Sequence, residues 1–335
     1  MIPQTEQINT KQDWQIALAN CISDPATLLN QLGLADRLAA IDGHLIKKFP
    51  LRVPQNYINK MRYGDADDPL LRQVFPLIDE GLTVENFVTD PVGDGLAITA
   101  PGILQKYHGR ALLVTTGACA IHCRYCFRRH FPYGDSNPLA SQWLETLSTL
   151  RADISINEVI LSGGDPLVLT DSKLAMMIAD LEEIPHLKRL RIHTRLPIVL
   201  PERIDEQLLK WINQSRFQVI MVVHANHANE IDDEVATALD SLRLAGCQLL
   251  NQSVLLKGVN DDAESLIALS ERLSDVNVIP YYLHLLDPVA GASHFDVPDK
   301  IGIELIEQIK YKLPGYLVPR LVREQQGEQS KTTIA

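Results

Sequence analysis

The sequence predicts an α/β protein built on a parallel sheet, and three observations carry that reading. Its 335 residues are enough for a large buried core. With 46% apolar and 22% charged residues, it has the composition of a folded globular protein, not of a disordered or collagen-like chain. Beyond residue 110, short runs of Val, Ile and Leu alternate with helix-patterned stretches, the signature of successive βα units.

Residues 1–100 read as a mostly helical region. Apolar residues fall at helical spacing over 12–20 (Trp14, Ile16, Leu18) and 25–40 (Leu28, Leu29, Leu32, Leu34). Proline and glycine then become frequent from Pro50 to Pro101 and break the segment into loops. Residues 101–312 hold the alternation, with strands predicted at 111–116, 158–162, 189–194, 217–224, 248–255 and 278–286. Helices are predicted at 139–150, 171–183, 202–213, 230–245, 261–273 and 299–312, with Asp171 and Asp261 as starts and Gly246 as a stop. Residues 313–335 form a C-terminal segment whose polar last dozen, 324–335, reads as a loose tail. Six units fit either an open doubly wound sheet or a partial barrel, since a complete TIM barrel needs eight. Both folds gather functional residues at the C-terminal ends of strands. Cys119, Gly163-Gly164-Asp165, Arg195, the stretch from His224 to His227, and Asp287 all lie there.

Composition narrows the function. Thirty-one basic and 42 acidic side chains give a net charge of −11, which argues against a nucleic-acid or membrane-surface binder. The opening Met1-Ile-Pro-Gln-Thr-Glu-Gln lacks a basic start and an apolar stretch, and no apolar run reaches membrane-spanning length. A cytoplasmic location is therefore expected. Five cysteines are an odd number, and Cys119, Cys123 and Cys126 crowd into eight residues, a poor disulfide framework and a better metal or cluster site.

Gly117-Ala-Cys119-Ala-Ile-His-Cys123-Arg-Tyr-Cys126-Phe-Arg128-Arg129 is a C-x3-C-x2-C motif in a loop leaving the first predicted strand. Thiolates suit zinc or iron–sulfur clusters. A structural zinc wants four closed ligands, with His122 or His130 as the candidate fourth. Three thiolates on a four-iron cluster instead leave one iron open to a substrate or cofactor. The bland alternative is three buried thiols packing as small hydrophobes. His224 and His227 form an H-x2-H pair without an evident third ligand.

With its aromatic residue before the last cysteine and its place after the first strand, this motif resembles the radical S-adenosylmethionine (SAM) superfamily. The resemblance implies a partial (β/α)6 TIM-like barrel of the radical SAM type. It also implies a [4Fe–4S] cluster on Cys119, Cys123 and Cys126, with SAM bound at the unique iron. Leu161-Ser-Gly-Gly-Asp165-Pro166 resembles that family's Gly-Gly-Glu/Asp motif, which implies that Gly163, Gly164 and Asp165 contact the SAM amino group.

A narrower resemblance covers about 260 residues, from Asp68 to the end. It rests on Tyr107-His-Gly-Arg110, Cys123-Arg-Tyr-Cys126-Phe-Arg128-Arg129 and Arg195-Leu-Pro-Ile-Val-Leu-Pro201. The stretches from Asn251 to Asp261 and from Asp287 to Phe295 add to it. These are similar to the lysine 2,3-aminomutases, most of all to the short branch that makes (R)-β-lysine for modifying elongation factor P. The resemblance implies pyridoxal 5′-phosphate (PLP) as a third cofactor, on Lys331 in Gly327-Glu-Gln-Ser-Lys331-Thr332. It implies Lys106, Arg110 and Arg195 around the PLP phosphate and Tyr125 near the SAM adenine. Arg128 would bind the substrate carboxylate, a task suited to guanidinium, and Asp287 the distal ammonium of lysine. The sequence departs from the longer enzymes at two of these positions: Glu324 stands where a second ammonium-binding Asp is expected, and Lys106 replaces an arginine. It reaches Ala335 without the further cysteines that bind structural zinc in those enzymes, so no such zinc is expected, and Cys21 and Cys247 read as structural thiols.

The implied reaction moves the 2-amino group of L-lysine to C3. The implied partners are the small-molecule substrate, an electron donor such as flavodoxin or ferredoxin, and a functional link to a lysine ligase acting on elongation factor P. A homo-oligomer is compatible with the sequence, and neither nucleic acid nor membrane is implied.

Overall fold

The computed structural model describes residues 12–40, 48–133 and 142–335. The N-terminal tip and the predicted helix start at 139 lie outside these described residues. Ten strands form one sheet whose spatial order follows the chain. Strands β1 (Ile98–Ala100) and β2 (Ile103–Leu104) pair antiparallel and lead into β3 (Arg110–Thr116). From there β4 (Glu158–Gly163), β5 (Arg189–Thr194), β6 (Gln218–Val223), β7 (Gln248–Val254) and β8 (Ile279–His284) add in parallel. This is the partial (β/α)6 barrel, and among the described residues its first and last strands are not paired to each other.

Strand alternation sorts the side chains into two faces. Leu113, Leu161, Ile192 and Met221 stand in register across four strands and are fully buried against the helices. The opposite face carries Glu158, Ser162, Arg191, His193, Tyr282 and His284, so polar groups line the interior of the partial barrel. Helices Trp143–Ala152, Asp171–Glu182, Glu206–Gln214, Asp233–Leu244, Ala263–Asp275 and Asp299–Lys312 cover the outside. Three begin later than the apolar spacing suggests, because aspartates cap them; the one expected to start at Asp261 begins at Ala263, capped by Asp262. Asp205 accepts from the Leu208 amide, and Asp232 from the Val235 amide, both at 2.9 Å.

The two ends of the chain meet this barrel differently from expectation. Residues 324–335 are not a loose tail, because their end folds back onto the sheet. Arg320–Arg323 forms β9, parallel to β8, and Thr332–Thr333 forms β10, folding back antiparallel on β9. Leu321 and Val322 are buried in the process, while Ile334 and Ala335 pack against the same apolar cluster as Leu321. At the other end, Trp14 is buried under the Arg203 guanidinium, 4.5 Å from its ring. The arm before β1 then crosses to the loop after β8, where Val88 and Val289 form a parallel bridge. No helix among the described residues is long and apolar enough to cross a membrane.

Candidate active site

The cysteine loop leaves the C-terminal end of β3, and the chain around it is anchored on both sides. Glu80, fully buried, accepts from Arg124 Nε at 2.7 Å and Arg129 Nη2 at 2.7 Å, and both guanidiniums lie over Phe49. The Arg124 amide donates to the Gln73 carbonyl at 2.9 Å. None of the three cysteines is in a disulfide. Burial pushes Cys126 up to about 11, and Cys123 beside it adds to the shift. Burial also raises Cys119, with Cys126, Asp165 and Cys123 adding to it. Three desolvated soft donors that repel one another as thiolates need a cationic centre between them, the donor chemistry an iron–sulfur cluster fits. Among the described residues no three His, Cys, Asp or Glu groups converge on a single metal ion. His122 Nδ1 is held on the Pro50 carbonyl at 2.8 Å and His130 Nε2 on that of Ala290 at 3.1 Å, and neither ring joins such a group.

The Gly-Gly-Asp turn after β4 packs directly on this loop. Gly163 has φ +115°, and a Cβ there would press on the Thr116 carbonyl. One at Gly164 would overlap Ala118, so glycine is needed at both positions for the two loops to touch. The Asp165 amide donates to the Ala118 carbonyl at 2.8 Å. Its carboxylate turns inward, accepting from Leu167 N at 3.0 Å, Thr194 Oγ1 at 2.6 Å and Arg195 N at 2.7 Å. Burial lifts it to about 6 despite these bonds. Asp165 thus ties the ends of β4 and β5 together.

Arg195, which the resemblance implies near a phosphate, is engaged on the cysteine side, where Nη1 donates to Cys123 Sγ at 2.7 Å. Nη2 donates to Gln73 Oε1 at 2.6 Å, Glu230 Oε2 at 2.8 Å and Tyr57 OH at 3.2 Å. A fully buried carboxylate, Glu230, pulls the guanidinium there, and its own value falls because Arg195, the Asn226 amide and Gln73 together outweigh the effect of burial. Tyr125 belongs to the same network. Its hydroxyl meets His224 Nε2 at 2.8 Å and accepts from Asn226 Nδ2 at 2.7 Å, and its ring stacks on His224. His224 is pushed down to about 3 by burial and Arg195, so it is neutral. His227 accepts from the Asn229 amide instead, which separates the H-x2-H pair.

A second constellation lies at the seam between the first and last strands. Lys331 Nζ is 2.6 Å from Glu324 Oε2 and lies 5.9 Å from the centre of the Tyr282 ring. Lys106 Nζ is 3.4 Å from the other Glu324 oxygen and 2.7 Å from Asp94 Oδ1. Arg128 Nε donates to Asp94 Oδ2 at 2.6 Å and its Nη1 to Ser162 Oγ at 3.0 Å. Burial raises Asp287 to about 7, against the opposing charge of Lys331. Burial and neighbouring cations, Lys331 among them, hold His193 and His284 well below the usual histidine range. His193 Nε2, His284 Nε2 and Asp287 Oδ1 are buried without a hydrogen-bond partner. An accessible amine ringed by orphaned polar atoms and cations fits PLP and a polar substrate.

The structure therefore brings Lys106, Arg128, Asp287, Glu324 and Lys331 toward one site. Arg110 instead lies with its guanidinium 5.3 Å from the Tyr107 ring. Asp94, Glu230, His193 and His284 were not singled out from the sequence. The Gly93-Asp94-Gly95 turn and the i, i+2 spacing of Tyr282 and His284 were the available signals. Cys21 donates weakly to the Ala120 carbonyl of the cysteine loop at 3.5 Å, and Cys247 is simply buried.

A partial parallel barrel with three thiols in the loop after its first strand, and a Gly-Gly turn packed on that loop, defines a radical SAM protein. A profile of the Radical SAM superfamily matches residues 113–269. L-lysine 2,3-aminomutase of Escherichia coli is 46% identical over 97% of this chain and 95% of its own length. The protein of that name from Haemophilus influenzae is 46% identical over 100% and 99%, and that from Clostridium subterminale 32% over 96% and 77%. The chain belongs to the radical SAM L-lysine 2,3-aminomutase family, whose members are isomerases.

Proposed function

We propose that this protein converts L-lysine to (R)-β-lysine by 1,2-amino migration, using a [4Fe–4S] cluster, SAM and PLP, in the cytoplasm. The observation that carries the reading is the seam constellation. A lysine amine, two further cations and two carboxylates stand together beside orphaned polar atoms, at the end of the barrel where the cysteine loop opens. When bound, the three cofactors supply hydrogen-atom abstraction at carbon and an electron-delocalising ring across which an amino group can shift.

The chain's own residues do the rest. Cys119, Cys123 and Cys126 hold the cluster, and the close packing of Gly163 and Gly164 on their loop keeps one face open for SAM. Lys331 carries PLP. Its ammonium must lose a proton to do so, and Glu324 Oε2, 2.6 Å away, is the acceptor at hand. Arg128 offers its guanidinium to the α-carboxylate of lysine, and its Nη2 has no partner among the described residues. Asp287 receives the distal ammonium. Lys106 stands as the cation for the cofactor phosphate. Neutral His193 and His284 accept or donate hydrogen bonds without adding charge to the cavity. The fold at both chain ends, β10 on one side and the 88–97 arm on the other, walls the site against water.

The product would supply a ligase that attaches β-lysine to elongation factor P, and the reducing electron would come from a flavodoxin or ferredoxin. The test is anaerobic reconstitution with iron, sulfide, PLP, SAM and dithionite, followed by chiral amino-acid analysis after incubation with L-lysine. (R)-β-Lysine is the expected product. An intact cluster that cleaves SAM but yields no β-lysine would overturn the substrate assignment.

A further inference from the structure

Asp94 is a buried carboxylate clamped between two cations that come from different parts of the fold. It is 2% exposed. Oδ2 accepts from Arg128 Nε at 2.6 Å, while Oδ1 is 2.7 Å from Lys106 Nζ. Arg128 comes from the end of the cysteine loop and Lys106 from the segment between β2 and β3. Asp94 itself is fixed from behind. Its amide donates to Asp90 Oδ1 at 2.9 Å, and the Gly95 amide to Asp90 Oδ2 at 3.0 Å. Gly93, at φ +67°, leaves space that the Gln326 side chain fills. The carboxylate therefore rides on a turn held by the C-terminal segment that bears Lys331.

Charge explains what such a clamp does. Without it two cations would face each other across a dry gap, and each would compete for the same anionic end of a ligand. With it, the Nε edge of Arg128 is consumed and Nη1 is tethered to Ser162 Oγ at 3.0 Å, so one orientation of the guanidinium remains. The burial that would raise Asp94 is outweighed by Arg128 and Lys106, so it remains an anion. We infer that Asp94 is a positioning residue for substrate recognition: it aims Arg128 at the substrate carboxylate and keeps Lys106 directed to the other side of the site. This rests on the reading of Arg128 as the carboxylate-binding residue.

The test uses the reconstituted, unreduced holoprotein, which binds but does not turn over, and compares two ligands by anaerobic calorimetry. One is L-lysine; the other is 1,5-diaminopentane, which is lysine without its carboxylate. Asp94→Asn keeps the shape and removes the charge. It should weaken L-lysine about tenfold and leave the diamine unchanged, with iron content and thermal unfolding like those of the parent. Asp94→Glu should restore most of the lost affinity. Equal loss for both ligands marks a merely structural residue and overturns the inference. So does unchanged lysine binding in D94N when Arg128→Gln has lost it. If R128Q itself binds lysine normally, the underlying reading of Arg128 has failed, and that outcome is distinguishable from the other two. Should D94N not fold, Ser162→Ala removes the other tether. A selective loss of about threefold for L-lysine is then expected, and an equal or absent loss counts against the inference.

Discussion

The cysteine side and the seam side of the barrel mouth are both buried and both rich in charge, yet they are satisfied in opposite ways. On the cysteine side, Arg195, Glu230, Gln73, Asn226, Tyr57 and Tyr125 bond one another in a network that leaves, of their side-chain atoms, Arg195 Nε buried without a partner. On the seam side, the cations and carboxylates pair, but His193 Nε2, His284 Nε2 and Asp287 Oδ1 are left without partners. The network on the cysteine side costs little to reorganise when a rigid inorganic group is bound. A ring of unsatisfied groups stores the desolvation penalty that a polar organic ligand relieves on entering. The two halves thus prepare for different kinds of guest.

The sharpest way to separate them is to remove the anchor of each. Cys119→Ala, Cys123→Ala or Cys126→Ala should each abolish SAM cleavage and bring iron incorporation close to zero. Lys331→Ala should retain the cluster and cleave SAM while losing the bound-PLP absorbance and all β-lysine. Electron paramagnetic resonance of the reduced cluster and assay of 5′-deoxyadenosine make the distinction. If Lys331→Ala loses its cluster as well, the two sides are one cooperative unit and the contrast fails.

A smaller effect is expected when one carboxylate is neutralised on each side. Glu230→Gln strands the Arg195 charge in a site where both side chains are at most 6% exposed. Breaking such a pair should cost about 3 kcal/mol in urea unfolding. Glu324→Gln leaves Lys331 and Lys106 beside partners that include water, since their side chains are 23% and 22% exposed. It should cost about 1 kcal/mol or less. Equal losses would mean that the seam is as closed as the cysteine side.

The same contrast explains what was legible in the sequence. The six parallel strands and the three thiols were readable because each depends on local pattern: period-two apolar runs between helices, and cysteines spaced within one loop. Strands β1, β2, β9 and β10 escaped because two to four residues are too few for any periodicity to register. The roles given to Lys331, Arg128 and Asp287 came forward only through resemblance. The direction Arg195 takes was not legible, because Glu230 decides it from 35 positions away. Asp94 had only the Gly93-Asp94-Gly95 turn to mark it, and its contacts exist only once the arm before β1 is laid against Arg128 and Lys106.

The seam also predicts an effect of pH, and its sign follows from Asp287. Burial raises that carboxyl to about 7 in the folded protein, whereas an unfolded Asp titrates near ~4. Between these values the folded state holds a proton that the unfolded state has released. Asp287 therefore destabilises the fold progressively as pH rises through this window, with the full penalty present above about 7 and none below about 4. Asp287→Asn should flatten that part of the pH–stability profile. Ligand binding runs the other way. The distal ammonium of lysine needs the ionised carboxylate, so L-lysine affinity should fall up to about tenfold per pH unit below 7. At pH 6, binding should release protons, measurable by calorimetry in two buffers of different ionisation heat. His193 and His284 titrate too low to mimic this near pH 7, and Glu324 is held in the carboxylate form by Lys331 despite burial. Proton release that persists in Asp287→Asn would therefore move the ammonium site away from Asp287 and remove one of the seam's unsatisfied groups from the ligand's account.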